Sequence, residues 1–256
     1  MIGIDEVGRG ALCGAVYLGF CELNQTYPIL SYEFDKSNTF WATNQDFATI
    51  KDSKKLTASK RQKVVDLIKP NSIKCLTLFC SNQLIDRYGI GVCLSYLVAI
   101  GLSSWMQISK YGIYSDQTNL GQSEFVQSPL DHSSPDLSEL VIVDGQIKIL
   151  VDYDTVLINQ ICLENNIKVP VINLLHYKII RENKADDKYL SVALASNVAK
   201  VIRDSEMIRL DELYPDFKWA QNKGYGTVVN CQAIKNNSGN PYIRKSFCKL
   251  VYKSVL

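Results

Sequence analysis

The sequence has few of the residues on which zinc sites and nucleophilic triads depend. It contains two histidines, His132 and His176. Zinc is usually held by histidine and cysteine, and a Ser/His/Asp triad needs a histidine base, so both kinds of site are disfavoured. The eight cysteines include no CxxC pair, and several lie in apolar segments. We expect them to be reduced core residues rather than disulfides.

Strong net charge and long apolar segments are also missing. The formal net charge of +2 is too small to indicate a nucleic-acid partner, so any phosphate-binding surface must be a local concentration of lysine and arginine. The uncharged run at 92–108 is shorter than the ~20 residues of a membrane span, and we expect a buried helix there. Strand signals begin at residue 2, which leaves no room for a signal or transit peptide. These features predict a cytoplasmic protein without membrane contact.

Strand signals come first along the chain and helices follow, with a crossover between them. This order indicates an α/β fold with a mixed β-sheet. We expect a catalytic region at 1–210 and a helical C-terminal region packed on it at 211–256. Two polar stretches without clear periodicity, 29–50 and 111–138, are interpreted as insertions. Strands are predicted near the N-terminus and at 15–21, 73–80 and 140–143. Helices are predicted at 58–68 after the cap Thr57, at 82–109 with a break at Gly89 or Gly91, and at 185–202. Most of the chain after Asp204 is also predicted to be helical.

Four carboxylates stand at the ends of predicted elements. Asp5 and Glu6 close the first strand, Asp144 closes a later buried strand, and Asp186 opens a long helix. Strand ends of α/β folds are where distant residues converge into sites. Clustered carboxylates repel one another unless a cation neutralises them, and their oxygen ligands favour Mg²⁺ or Mn²⁺. This pattern predicts metal-assisted phosphodiester hydrolysis, in which two ions about 3.5–4 Å apart activate a water and stabilise the leaving oxygen.

Each of these acids also has an ordinary structural explanation. Asp144 with Gly145 could form a plain turn, and Asp186 could be a helix cap. Asp5 and Glu6 would point to opposite faces of a regular strand, so both reach one site only if the strand ends there. Asp204 lies 18 residues beyond Asp186, or ~27 Å along a continuous helix, and is excluded from the site.

Six sequence motifs resemble, in order, those of the type 2 ribonuclease H family, also called ribonuclease HII. They are GIDEVGRG at 3–10, DSKKL at 52–56, VDG at 143–145, KADDKYLSVALASNVAKVIRD at 184–204, KGYGT at 223–227 and RKSF at 244–247. The resemblance extends over nearly the whole chain. It implies a ribonuclease H-like fold, with a central mixed sheet flanked by helices and a small C-terminal helical region.

The resemblance also implies roles for individual residues. It assigns catalysis and the binding of Mg²⁺ or Mn²⁺ to Asp5, Glu6, Asp144 and Asp186. It further implies that the backbone of Gly8, Arg9 and Gly10, together with Tyr225, senses the 2′-hydroxyl at an RNA-to-DNA junction. A 2′-hydroxyl is the feature by which a protein distinguishes RNA from DNA. For Tyr225, a core tyrosine in a glycine turn is the structural alternative.

Basic residues supply candidate phosphate contacts with salt-dependent affinity. Those within the matched motifs are Lys54, Lys55, Lys223 and Arg244. Lys60, Arg61 and Lys63 lie on one short predicted helix, where a solvated face is the simpler explanation.

The leading hypothesis is a monomeric endonuclease that hydrolyses the RNA strand of RNA/DNA hybrids. It would also cut duplex DNA 5′ to an embedded ribonucleotide, leaving 3′-hydroxyl and 5′-phosphate ends. One alternative is a catalytically silent hybrid-binding protein with the same fold. Another is a metal nuclease acting on DNA alone, which the glycines and Tyr225 argue against.

Overall fold

The computed structural model describes residues 1–23, 56–68, 73–111, 139–150 and 152–253, with backbone only for 106–111. Both predicted insertions fall largely or wholly outside these residues. The described strands form one sheet of five, in the order β3-β2-β1-β4-β5. Their bounds are β1 Ile2–Val7, β2 Val16–Glu22, β3 Lys74–Cys80, β4 Glu139–Asp144 and β5 Tyr177–Glu182.

The sheet is mixed, as the sequence predicted. β1, β2 and β3 pair in antiparallel fashion, whereas β4 runs parallel to both β1 and β5. The described helices are α1 Ala58–Asp66, α2 Asn82–Tyr88, α3 Ile90–Tyr111, α4 Thr155–Glu164, α5 Leu190–Leu213, α6 Trp219–Asn222, α7 Val228–Asn236 and α8 Lys249–Lys253, with 3₁₀ turns at Ala185–Asp187 and Pro215–Phe217.

Most predicted helices are confirmed, and local chemistry explains their ends. The Thr57 side chain accepts a hydrogen bond from the Lys60 amide and so caps α1. The predicted helix at 82–109 breaks at Gly89, whose φ of 84° is open to glycine at little cost. The prediction that Asp186 opens the long helix was wrong. Asp186 lies in a separate 3₁₀ turn, and α5 begins only at Leu190.

The helix α3 covers one face of the sheet. Its side chains from Cys93 to Trp105 are buried, and they pack with Ile2, Ile4 and Leu18 in the largest apolar cluster. The uncharged run, as far as Trp105, is therefore part of the core, as predicted. Among the described helices none is by itself long and apolar enough to cross a membrane. The helix α2 and residues 90–105 of α3 meet the length and composition requirement only together, as a pair bent by 114°.

The helix α5 covers the other face and carries polar residues into the interior. Asp204 is held there by ion pairs with Arg61, at 3.3 Å, and with Lys200. This agrees with the expectation that Asp204 is structural. Arg61 is accordingly engaged within the protein, whereas Lys60 and Lys63 on the same short helix are exposed.

The expectation that all cysteines are reduced was wrong for one pair. Cys21 on β2 and Cys75 on β3 are register partners, with 4.4 Å between their Cα atoms, and they form a disulfide. Directly opposed positions of antiparallel strands bring Cβ atoms close enough for such a bond. The other six cysteines are free, and all but Cys231 are buried.

The C-terminal region packs against the loop that joins β1 to β2. Cys13 from this loop shares an apolar cluster with Phe217, Trp219 and Ile243. An isolated β-bridge also joins Cys13 to Ile243. The proposed division of the chain near residue 210 stays a prediction.

Candidate active site

Asp5 and Asp144 lie side by side on neighbouring parallel strands. Ile4 of β1 is the register partner of Val143 of β4, so each acid is the next residue along its strand. Asp5 is 4% exposed, and the hydroxyl of Ser196 on α5 donates a hydrogen bond to its carboxylate. The sheet and α5 thus fix the position of Asp5 from two sides.

Asp186 reaches the same end of the sheet through the 3₁₀ turn that follows β5. The Ala185 amide donates a 2.6 Å hydrogen bond to Oδ1 of Asp144, which ties this turn to the end of β4. Asp186 is buried, at 6% exposure, and its charge acts on Asp5. The turn, rather than the long helix, therefore places the fourth acid.

Glu6 points away from Asp5, as neighbours on a regular strand do. The strand continues to Val7, so it does not end at the acidic pair as the sequence analysis required for convergence. Glu6 Oε1 lies 3.2 Å from the guanidinium of Arg9. Its Oε2 is buried and has no hydrogen-bond partner within the described part of the chain, which leaves that oxygen available as a ligand.

The electrostatics of the site favour a bound cation. Burial raises the pKa of Asp5 well above its ordinary value, and the charges of Glu6, Asp144 and Asp186 raise it further, against the hydrogen bond from Ser196. Burial also raises the pKa of Glu6, although Arg9 lowers it. A divalent cation would offset both effects, because it stabilises the charged form of every carboxylate near it.

The four carboxylates fit Mg²⁺ or Mn²⁺ by donor chemistry, since both ions prefer oxygen ligands. Within the described residues, no three aspartate, glutamate, histidine or cysteine side chains lie close enough together to bind one metal ion. The structure therefore brings the acids to one end of the sheet, within electrostatic reach of one another. They would have to move closer together to share an ion.

The loop that joins β1 to β2 at residues 8–15, called the glycine loop below, contacts the KGYGT motif. The amides of Leu12 and Cys13 both donate to the Gly224 carbonyl, at 2.8 and 3.2 Å. Tyr225 is 38% exposed, so it is not the buried core tyrosine of the structural alternative. In the sequence these two motifs were related only by the family resemblance, and the structure brings them into contact.

The four basic residues of the matched motifs have different surroundings. Lys54 and Lys55 lie outside the described residues. Lys223 is half-buried and its ammonium donates to the Ala220 carbonyl, at 2.6 Å. Arg244 is fully buried, and burial lowers its pKa to about 10, so it stays charged at neutral pH. The structure does not present Arg244 to a phosphate.

Two polar residues of α5 had no role in the sequence analysis. Ser196 bonds to Asp5, and Arg203 is fully buried beneath the glycine loop. They are seven residues apart and so lie on one face of the helix, two turns from each other. Polar residues at this spacing in a helix otherwise rich in alanine and valine were the available signal.

Three comparisons relate the chain to known proteins. A family model described as Ribonuclease HII matches residues 2–255. Ribonuclease HII of Treponema denticola is 31% identical over 252 residues, which cover 96% of this chain and 97% of the relative. Ribonuclease HII of Rickettsia bellii (strain OSU 85-389) is 28% identical over 256 residues, which cover 99% and 92%.

Solved structures share the fold. The structure of the PCNA:RNase HII complex from Archaeoglobus fulgidus matches with a TM-score of 0.56 and 20% identity, and covers 100% of this chain and 94% of the matched chain. Bst-RNase HIII in complex with Mn²⁺ matches with a TM-score of 0.55 and 16% identity, over 99% and 69% of the two chains. At these identities the likeness concerns the fold alone.

Proposed function

The chain belongs to the ribonuclease HII family of endoribonucleases, and we propose that it hydrolyses the RNA strand of RNA/DNA hybrids. We further propose that it cuts duplex DNA on the 5′ side of an embedded ribonucleotide. The observation that carries this proposal is the position of three buried or half-buried acids, Asp5, Asp144 and Asp186, at one end of the sheet beside the glycine loop.

Asp5, Glu6, Asp144 and Asp186 are proposed to hold Mg²⁺ or Mn²⁺. When bound, such ions activate a water and stabilise negative charge on the leaving oxygen. The protein positions the ligands for this chemistry. Ser196 holds Asp5, and the Ala185 amide holds Asp144. Hydrolysis on this plan leaves 3′-hydroxyl and 5′-phosphate ends and needs no protein nucleophile.

Selection for a ribonucleotide is assigned to the loop that follows Glu6. Arg9 and Gly10 are exposed residues, and we propose that the backbone of Gly8, Arg9 and Gly10 approaches the 2′-hydroxyl. Tyr225 offers a ring for packing against a sugar and a hydroxyl for hydrogen bonding. Phosphate contacts are assigned to Lys54, Lys55 and Lys223.

The carboxylates also argue against a silent hybrid-binding protein. A binding module gains nothing from mutually repelling buried acids, which cost stability in the absence of a cation. Cleavage is the property that separates the two functions. The monomeric state and the cytoplasmic location expected from the sequence stay predictions.

The decisive experiment is cleavage of duplex DNA that carries one ribonucleotide, with Mg²⁺ or Mn²⁺ and with the cut mapped to the nucleotide. Asp144→Asn is the control, because its amide oxygen can still accept from Ala185 while the charge is lost. We expect wild-type protein to cut 5′ to the ribonucleotide and the variant to lose this activity.

Two other results would each support a different function. Hybrid binding without cleavage in either metal would make the chain a silent binding protein. Cleavage of an all-DNA duplex of the same sequence would make it a nuclease without ribonucleotide selection.

A further inference from the structure

Two arginine side chains lie fully buried beneath the loop between β1 and β2. Arg203 comes from α5 and Arg244 from the RKSF motif, and both are 0% exposed. Within the described residues, neither forms an ion pair with a carboxylate. Both guanidinium groups bind backbone carbonyls instead. A buried charge is costly unless it is hydrogen-bonded, so these contacts hold the loop and the arginines in one arrangement.

Arg244 spans the loop from one end to the other. Its Nη1 donates to the Arg9 carbonyl at 3.0 Å, and its Nε donates to the Gly14 carbonyl at 2.7 Å. Its backbone amide donates to the Leu12 carbonyl at 2.8 Å. One residue thus bonds three carbonyls of the loop. Lysine at this position could not replace the two guanidinium contacts, because it has a single ammonium group.

The bond to the Arg9 carbonyl fixes the direction of the next amide. The peptide bonds of the described residues are all trans, and in a trans peptide the C=O and the following N–H point in opposite directions. The Arg9 carbonyl faces the buried guanidinium, so the Gly10 N–H faces outward. Gly10 is exposed, and no hydrogen bond found among the described residues uses its N–H.

Arg203 joins the same loop to Tyr225. Its Nε and Nη2 donate to the carbonyls of Ala15 and Cys13, at 3.3 and 3.4 Å. Its Cζ lies 5.6 Å from the centroid of the Tyr225 ring. Gly8 lies against this side chain, and a Cβ added at Gly8 would be 2.1 Å from Arg203 Nε. The loop and the tyrosine therefore share one buried support.

We propose that Arg244 is a positioning residue for ribonucleotide recognition, which acts by turning the Arg9–Gly10 peptide so that the Gly10 N–H is presented to the 2′-hydroxyl. Arg203 supports the same surface by holding Tyr225 to the loop. The inference rests on the proposed function, since it assumes that this surface reads a ribonucleotide. It gives Arg244 a role in substrate selection without contact to a phosphate.

The test compares binding of two duplexes of one sequence, one with a single ribonucleotide and one all DNA, without divalent metal so that no cleavage occurs. The measured quantity is the Kd of the all-DNA duplex divided by the Kd of the ribonucleotide-containing duplex. Arg244→Lys should reduce this ratio about tenfold, because a tenfold change in Kd corresponds to the free energy of about one hydrogen bond. It should leave the all-DNA Kd within about twofold of the wild-type value. Arg209→Lys is the matched control, because Arg209 is exposed on α5 and pairs with Glu206. It should leave both Kd values unchanged.

An Arg244→Lys protein that is folded by circular dichroism and keeps the wild-type ratio would overturn the inference. If that variant does not fold, Gly10 provides a second test. Gly10→Pro removes the N–H that the inference assigns to the 2′-hydroxyl. Wild-type discrimination in a folded Gly10→Pro protein would overturn the inference. Loss of discrimination in Gly10→Pro, with the wild-type ratio kept in Arg209→Lys, would support it. A wild-type protein that neither discriminates nor cuts contradicts the proposed function itself.

Discussion

Asp5 shows how single residues of the site serve chemistry rather than stability. It is buried within electrostatic reach of three other acids, and both burial and their charges raise its pKa. The folded protein therefore binds a proton at Asp5 more tightly than the unfolded chain does. The resulting stability is present at low pH and is lost as pH rises through the raised pKa.

Asp5→Asn should abolish cleavage and make the metal-free protein more stable. The amide keeps a hydrogen-bonding oxygen for Ser196 and removes a repelled charge. We expect the free energy of unfolding at pH 8 to rise by roughly 1 kcal/mol and activity to fall on the order of 10²-fold or more. Urea unfolding in EDTA and the cleavage assay measure the two effects. Asp152→Asn, at an exposed position, should change neither, and an equal gain there would refute the explanation.

Glu139 is a second acid whose pKa is raised. It lies at the start of β4, at the opposite end of that strand from Asp144. Burial and then the charge of Glu22 raise its pKa from 4.5 to about 7. Its contribution to stability is full below the lower value and is lost as pH rises through the higher one. Wild-type stability should therefore decline across this window.

Glu139→Gln should flatten that decline, because glutamine does not ionise. We expect wild-type protein to lose about 1–2 kcal/mol of unfolding free energy across the window, after allowance for solvent screening, and the variant to lose less. Urea unfolding at several pH values gives the two curves. Cleavage should be unaffected, since Glu139 lies away from the site. Parallel curves would mean that Glu139 titrates normally.

At the scale of elements, Asn230 of α7 connects three segments of the C-terminal region. It is fully buried. Its Nδ2 donates to the Tyr225 carbonyl at 2.8 Å, and its Oδ1 accepts from Trp219 Nε1 at 3.0 Å. One side chain thus fixes the KGYGT turn relative to α6 and α7. The exposed face of Tyr225 depends on this buried bond.

Asn230→Ala should cost about 2–4 kcal/mol of unfolding free energy, because it leaves the Trp219 N–H and the Tyr225 carbonyl buried without partners. Chemical denaturation provides the measurement. Asn236→Ala is the control, since Asn236 is exposed on the same helix, and its cost should stay below about 1 kcal/mol. Similar losses for the two variants would show that the hydrogen bonds of Asn230 do not contribute to the free energy of unfolding.

At the scale of the whole molecule, the sheet end gathers negative charge although the chain carries a net +2. A ligand that binds the folded state and not the unfolded one raises stability by mass action. If the acids hold divalent ions, the melting temperature reports the occupancy of the metal site without any substrate. A melting-temperature measurement therefore tests metal binding separately from catalysis.

Adding Mg²⁺ or Mn²⁺ well above its Kd should raise the melting temperature of wild-type protein by roughly 2–8 °C. Removing the ion with EDTA should reverse the change. Asp144→Asn should show a smaller rise, because one ligand charge is lost, and Asp152→Asn should behave as wild type. Equal rises in all three proteins would place the bound ion elsewhere. A thermal melt followed by circular dichroism measures each case.

The sequence by itself determined the mixed α/β sheet, most helices and the family, whereas the metal-binding role of the four acids stays a prediction. The sheet and the helices follow from local signals: apolar strands, the Thr57 cap and the break at Gly89. Such signals depend on neighbours in the chain, so they can be recognised without knowing what a segment contacts.

Only the tertiary structure decided the environment of individual side chains. It buried Arg244 beneath Arg9, 235 positions away, where the sequence had suggested a phosphate contact. It placed Asp186 in a 3₁₀ turn and paired Cys21 with Cys75. It also buried Arg203, which the sequence had not singled out, against the carbonyls of Cys13 and Ala15. The physical reason is that burial and hydrogen-bond partners arise where distant segments meet, and a residue's type sets what it can bind but not what lies beside it.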